Sequence, residues 1–212
     1  ARRNSLSDFT NVKANGKIAM KLDEGDQLIS AQACSETDDI LLSSSGGKCI
    51  RFPVTAIRVF SSRSSTGVRG MRLDGDDRII SMSVLSHVKA EVYEREDYLQ
   101  ASSASKRLIN GDYSDRPNDK VEDETRAARL ETVKFAEMAS TEEFVLTITD
   151  DGMGKRTSAY EYRISNRGGK GITSIALKRP KGQSTSVVAS FPVETENQLV
   201  MVSDGGQLIR CP

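Results

Sequence analysis

The chain has 212 residues, 30 Lys and Arg against 30 Asp and Glu, one histidine, three cysteines and no tryptophan. That length fits one medium domain or a short repeat array, and an aromatic content of 5% argues against a single-strand module that stacks bases on aromatic rings. A lone histidine excludes a His-based triad and a multi-histidine metal site. No apolar run approaches the roughly 20 residues a membrane helix needs.

The opening ARRNSLSDFT lacks the apolar core of a signal peptide, so the expectation is a cytoplasmic protein with no membrane partner. Cys34, Cys49 and Cys211 are odd in number and lack CxxC spacing, which predicts reduced thiols and no zinc site. The zero net charge conceals a division. Between His87 and Glu143 stand 9 basic and 14 acidic residues, leaving 21 basic and 16 acidic elsewhere. An acidic segment within a basic chain makes the overall balance a poor guide to nucleic-acid binding.

In chain order, Ile18, Met20 and Leu22 alternate with Lys17, Ala19 and Lys21 and predict a strand at the end of a repeat. The first full unit starts at Asp26, with strands predicted at Gln27 to Ser30 and Ile40 to Leu42. A turn at Ser44 to Gly47 and an alternating strand from Lys48 to Phe52 follow, closed by Pro53. Thr66 to Ser81, TGVRGMRLDGDDRIIS, reads as strand, tight turn, strand, the end of one unit and the start of the next. Two hairpins in about fifty residues match one propeller blade in size.

After Leu85 the pattern changes. Residues 86 to 143 are rich in Glu, Ala, Lys and Arg, with Leu85, Val88, Val92 and Leu99 at helical spacing and Ala127, Leu130, Phe135 and Met138 as a second stripe. Ala101 to Glu124 is polar. The expectation is helix, polar loop, helix, inserted into a β repeat.

The β pattern resumes at Phe144 to Ile148, turns at Asp150 to Gly152, and continues through Lys155 to Thr157 and a strand at Tyr160 to Ile164. Asn166 to Gly171, NRGGKG, is the most basic loop. A third unit runs from Ser186 to Arg210 through the turn at Asp204 to Gly206. Gly47, Gly152 and Gly206 each stand four positions before an arginine: Arg51, Arg156 and Arg210. The chain stops inside a unit, so the expectation is a piece of a longer array.

The segments LLSSSGGKCIRFPV, STGVRGMRLDGDDRIIS, DDGMGKRTSAYEYRISNRGGKGI and LVMVSDGGQLIR together resemble the C-terminal domain of the DNA gyrase A protein; topoisomerase IV has a related, less repetitive domain. The resemblance implies an all-β fold, a β-pinwheel. This is a propeller-like array of four-stranded blades, here a partial ring of about four blades at most, spanning 1–212 with an α-helical insertion at 86–143. It implies non-specific binding and wrapping of double-stranded DNA around a basic rim, in support of negative supercoiling. The partners would be the remainder of the gyrase A protein and, through it, the gyrase B protein. The domain would be the non-catalytic part of an ATP-dependent type II topoisomerase and would need no cofactor.

Cations recurring from unit to unit would meet successive phosphates. The candidates are Lys48, Arg51, Arg58, Arg63, Arg69, Arg72, Lys155, Arg156, Arg163, Arg167 and Lys170. The family's QRRGGKG box lies in its first blade; Asn166 to Gly171 looks like a degenerate copy, which would put the true box upstream of Ala1.

Other readings compete. NRGGKG lacks the spacing and the Ser/Thr of a P-loop and could be an interstrand turn. The Asp pairs at 38–39, 76–77 and 150–151 fit turn chemistry better than metal binding. A topoisomerase IV domain and a propeller-like protein-interaction module are the alternatives to DNA wrapping by gyrase.

Overall fold

The computed structural model describes residues 1–62, 64–109, 132–177 and 185–211. Its first hairpin joins β1 (Asp38–Ser44) to β2 (Lys48–Pro53). Gly47 turns it at φ +78°, a conformation that only glycine adopts without strain. β3 (Ile79–Ser86) pairs antiparallel with the other edge of β1, and β6 (Ile172–Thr173) pairs with β2. The resulting sheet has the order β3-β1-β2-β6, so its fourth strand comes from the following unit.

The second unit repeats this plan with β4 (Phe144–Thr149), β5 (Gly154–Ser158) and β7 (Val187–Val193) in the order β5-β4-β7. Both units carry a register shift at the equivalent place, between Ser43 and Ser44 in β1 and between Ile148 and Thr149 in β4. Each hairpin is followed by a short 3-10 turn, Val54–Ala56 or Ala159–Glu161. The third unit contributes the hairpin of β8 (Leu199–Val202) and β9 (Leu208–Cys211). The chain is thus mostly β, built from propeller-type units.

The core explains why β1 and β2 are apolar on both faces. Ile40, Leu42, Ile50 and Phe52 pack with Val54, Ile57, Phe60 and Met71. On the opposite face Leu41, Cys49 and Leu85 meet Val145, Ala159 and Tyr162 of the second unit. Each such side chain contributes roughly 1.5–3 kcal/mol on burial, so the sheet is held between its own unit and the next.

Among the described residues of the β3–β4 connection are two helices, α1 (Val92–Ile109) and α2 (Thr132–Ser140). Glu94 caps α1 by accepting the Glu91 N–H at 2.7 Å, half of a capping box with its charge at the helix N-terminus. Tyr98, Met138 and Tyr160 form the buried centre, with Phe135, Leu99 and Val88 against it. The Tyr98 ring lies 5.0 Å from Phe135 and edge-on to Tyr160 at 5.2 Å. The insertion therefore docks on the 3-10 turn of the second unit.

Several sequence expectations are corrected. Ile18 to Leu22, Gln27 to Ser30 and Gly67 to Leu73 form no strand. Alternation supplies one apolar face, but a strand also needs a continuous ladder: Lys21 N–H to the Ser65 carbonyl is a single rung, and the backbone bonds of Val68, Gly70 and Arg72 go to separate segments, Ala1 and the Gly168–Gly169 turn. Leu85 belongs to β3, and Val92 is exposed. Ala101 to Ile109 continues α1, whereas the rest of the expected polar loop, with Ala127 and Leu130, lies outside the described residues. Tyr160 sits in a 3-10 turn, because Ser158 Oγ accepts the Tyr160 N–H and ends the strand.

Candidate nucleic-acid interface

The loop Asn166 to Gly171 is positioned by backbone contacts with the first unit. Gly168 N–H donates to the Gly70 carbonyl at 2.5 Å, and Arg72 N–H donates to the Gly169 carbonyl at 2.8 Å. At Gly171, φ +72°, a Cβ would run into the Cys49 carbonyl oxygen. The loop thus lies flush on β2, with no room for a side chain at its end.

This docking gathers cations from distant parts of the sequence. Arg167 donates to the Ala56 carbonyl at 2.9 Å and to the Arg69 carbonyl at 3.1 Å, which ties it to the segments carrying exposed Arg58 and Arg69. Lys170 and Lys48 both donate to Asp74 Oδ2, at 3.1 and 3.3 Å. Lys170, then Lys48, hold the Asp74 carboxyl below its ordinary range. Arg72 is exposed beside them in sequence. A cavity next to the loop is lined by Arg163, Asn166 and Lys170 over the floor of Cys49 and Ile50.

Arg58 lies 4.4 Å from the centre of the Phe60 ring, a cation–π contact that leaves the guanidinium accessible. Lys155 and Arg156 stand exposed on β5. Arg156 covers the Phe144 ring at 3.8 Å and bonds Thr195 Oγ1 at 3.3 Å. Neither joins the group around Asp74. Arg63 lies outside the described residues.

Arg51 does not belong to an exposed rim. It is 4% exposed and spends its donors internally, on Asp39 Oδ2 at 2.8 Å, the Ala159 carbonyl at 2.8 Å and the Ser86 carbonyl at 2.9 Å. The second unit covers the face of β2 from which its side chain projects, so its donors face the interior and not an exposed rim. Asp39, expected at a turn, is the buried counter-charge, and its other oxygen meets His87 Nδ1 at 2.9 Å.

Asp77 likewise serves more than its own turn: it accepts from Ser44 Oγ, Ser45 Oγ and Gly46 N–H across the sheet. Asp74 was invisible as a partner in the sequence. It stands 26 positions from Lys48 and 96 from Lys170, and no periodicity links the three.

Units whose sheet is completed by a strand of the next unit, with a docked glycine-rich loop and grouped surface cations, define an all-β repeat domain of the pinwheel or propeller type. The family model described as "DNA gyrase C-terminal domain, beta-propeller" matches residues 1–35, 38–86 and 143–179, more than half the chain, and passes over most of the helical insertion. The chain belongs to the DNA gyrase C-terminal domain family.

Among relatives, the DNA gyrase A protein of Granulibacter bethesdensis is 47% identical over 100% of this chain and 23% of its own length. That of Rickettsia bellii is 43% identical over 99% of this chain and 22% of its own length. The chain therefore spans less than a quarter of these relatives. A crystal structure of the C-terminal domain of DNA topoisomerase IV matches 91% of this chain and 42% of its own with a TM-score of 0.59 at 12% identity, a likeness of fold alone.

Proposed function

We propose that this chain binds duplex DNA without sequence preference along a basic track and bends it, as the DNA-wrapping part of a gyrase that introduces negative supercoils. The observation that carries this reading is the docking of Asn166 to Gly171 on the first unit, which gathers Arg167 and Lys170 with Arg69, Arg72 and Lys48. Cations grouped this way neutralise adjacent phosphates and release counterions, which gives affinity independent of base sequence. Bending a short duplex costs about 1–6 kcal/mol, so several contacts must act together.

On this reading residues 1–212 are a piece of one pinwheel domain, with 86–143 inserted. Arg58, Lys155, Arg156 and Arg163 extend the track around its circumference, and the sequence offers Arg63 as a further phosphate contact. The domain performs no chemistry itself. It serves a cytoplasmic type II topoisomerase through the remainder of the gyrase A protein and, beyond it, the gyrase B protein.

The test is the double charge reversal Arg167→Glu with Lys170→Glu, assayed on a short duplex, with circular dichroism confirming the fold. Affinity falls at least about tenfold, and the slope of log K against log salt loses about two units. Unchanged affinity would remove these two residues from the track.

A further inference from the structure

One acidic side chain stands at the centre of the basic group. Asp74 Oδ2 accepts from Lys48 Nζ at 3.3 Å and Lys170 Nζ at 3.1 Å, both bonds exposed. The lysines come from different units, Lys48 from β2 and Lys170 from the docked loop, and they converge on a single oxygen. Two ammonium groups around one anionic oxygen is also how lysines meet a phosphate, as point charges with rotatable donors. We infer that Asp74 occupies, in the DNA-free protein, the position of a backbone phosphate between Lys48 and Lys170, and that binding displaces it. This rests on the DNA-binding reading above.

The consequence is an internal brake on affinity. To receive a phosphate, the lysines release a carboxylate that already neutralises part of their charge, so DNA gains less than it would from free cations. The carboxylate also keeps the two side chains convergent before DNA arrives. Asp74 itself is exposed and, among the described residues, its side chain bonds the two lysines, so removing the charge leaves the core intact. Each exposed pair is weak, which lets a phosphate compete.

The experiment measures affinity of the whole chain for a 40-base-pair duplex, with Asp74→Asn, Asp76→Asn and Asp74→Asn in a Lys48→Ala, Lys170→Ala background. Asp76 is exposed in the same turn and, among the described residues, makes no ion pair, so it controls for net charge. Asp74→Asn binds about two- to fivefold tighter at low salt. Asp76→Asn changes affinity by less, and the gain vanishes when both lysines are absent.

A gain from Asp76→Asn equal to that from Asp74→Asn, a gain that survives loss of the lysines, or no gain at all would overturn the role of Asp74 while DNA binding stood. Failure of the unaltered chain to bind any duplex would overturn the DNA-binding reading itself.

Discussion

Arg51 reaches back twelve positions across its hairpin to Asp39 and pairs with it at 2.8 Å in the interior. The same position recurs in each later unit with different chemistry. Arg156 stacks on Phe144 at 3.8 Å, and Arg210 donates to Gln198 Oε1 at 2.7 Å. The repeat conserves the geometry of the arginine and its cross-strand neighbour, while burial decides what the neighbour must be. Only the covered copy has a full counter-charge. Asp39→Ala leaves a buried guanidinium uncompensated and costs about 3–5 kcal/mol, read from the urea midpoint. Gln198→Ala, at the exposed copy, stays within about 0.5 kcal/mol. Equal small losses at both sites would contradict the assignment of Arg51 to the interior.

Glycine substitutions separate backbone strain from docking. Gly152 has φ +82° and open space around it, whereas a Cβ at Gly171 meets the Cys49 carbonyl. Gly152→Ala therefore costs about 1–2 kcal/mol of strain, with duplex affinity unchanged. Gly171→Ala adds a backbone clash that lifts the loop from β2. It lowers both the melting temperature and the affinity. Loss of stability with full affinity would detach the docked loop from DNA binding.

Cys49 and Cys34 should differ in reactivity. Burial pushes the Cys49 thiol up to about 12 from 9.0, while Cys34 is exposed. An aromatic disulfide reagent at pH 8 therefore titrates Cys34 quickly and Cys49 only on unfolding. With the folded pKa raised, the contribution of the Cys49 thiol to stability is complete below about pH 9 and is lost as pH rises toward 12. Cys49→Ala accordingly shows a smaller fall in urea midpoint above pH 9 than the unaltered chain. An equal fall would show that Cys49 does not contribute to it.

Tyr98 is one of the buried residues that anchor the insertion. Tyr98→Ala removes a buried ring that contacts both Phe135 and Tyr160 and costs about 3–5 kcal/mol of local stability. Hydrogen exchange checks this, with protection lost in α1 and α2 while β1 and β2 keep theirs. Uniform loss across the chain would mean that the helices are needed to hold the β units.

The hairpins were legible because their information is local. Glycine turns and flanking apolar runs mark β1–β2 and β4–β5 within a residue or two and place the turn between β8 and β9, and the change to helical composition marks the insertion. What was not legible depends on contacts between units. Arg51 sits in an alternating strand and reads as solvent-facing, yet the second unit covers it. The alternation at Ile18 to Leu22 reads as a strand but acquires a single backbone rung, to Ser65, and Ile18 remains exposed. The loop NRGGKG announced itself by its glycines and cations. Its partner Asp74 did not, because the docking that joins them is tertiary.

The central claim, a phosphate-reading track, is tested most directly by titrating a duplex of about 40 base pairs at several salt concentrations. Five grouped cations, Lys48, Arg69, Arg72, Arg167 and Lys170, predict a fall of log K with log salt of slope about −4.5 or steeper, the same for unrelated sequences. Weak binding that is flat with salt would contradict the track and turn attention to a protein partner for these units.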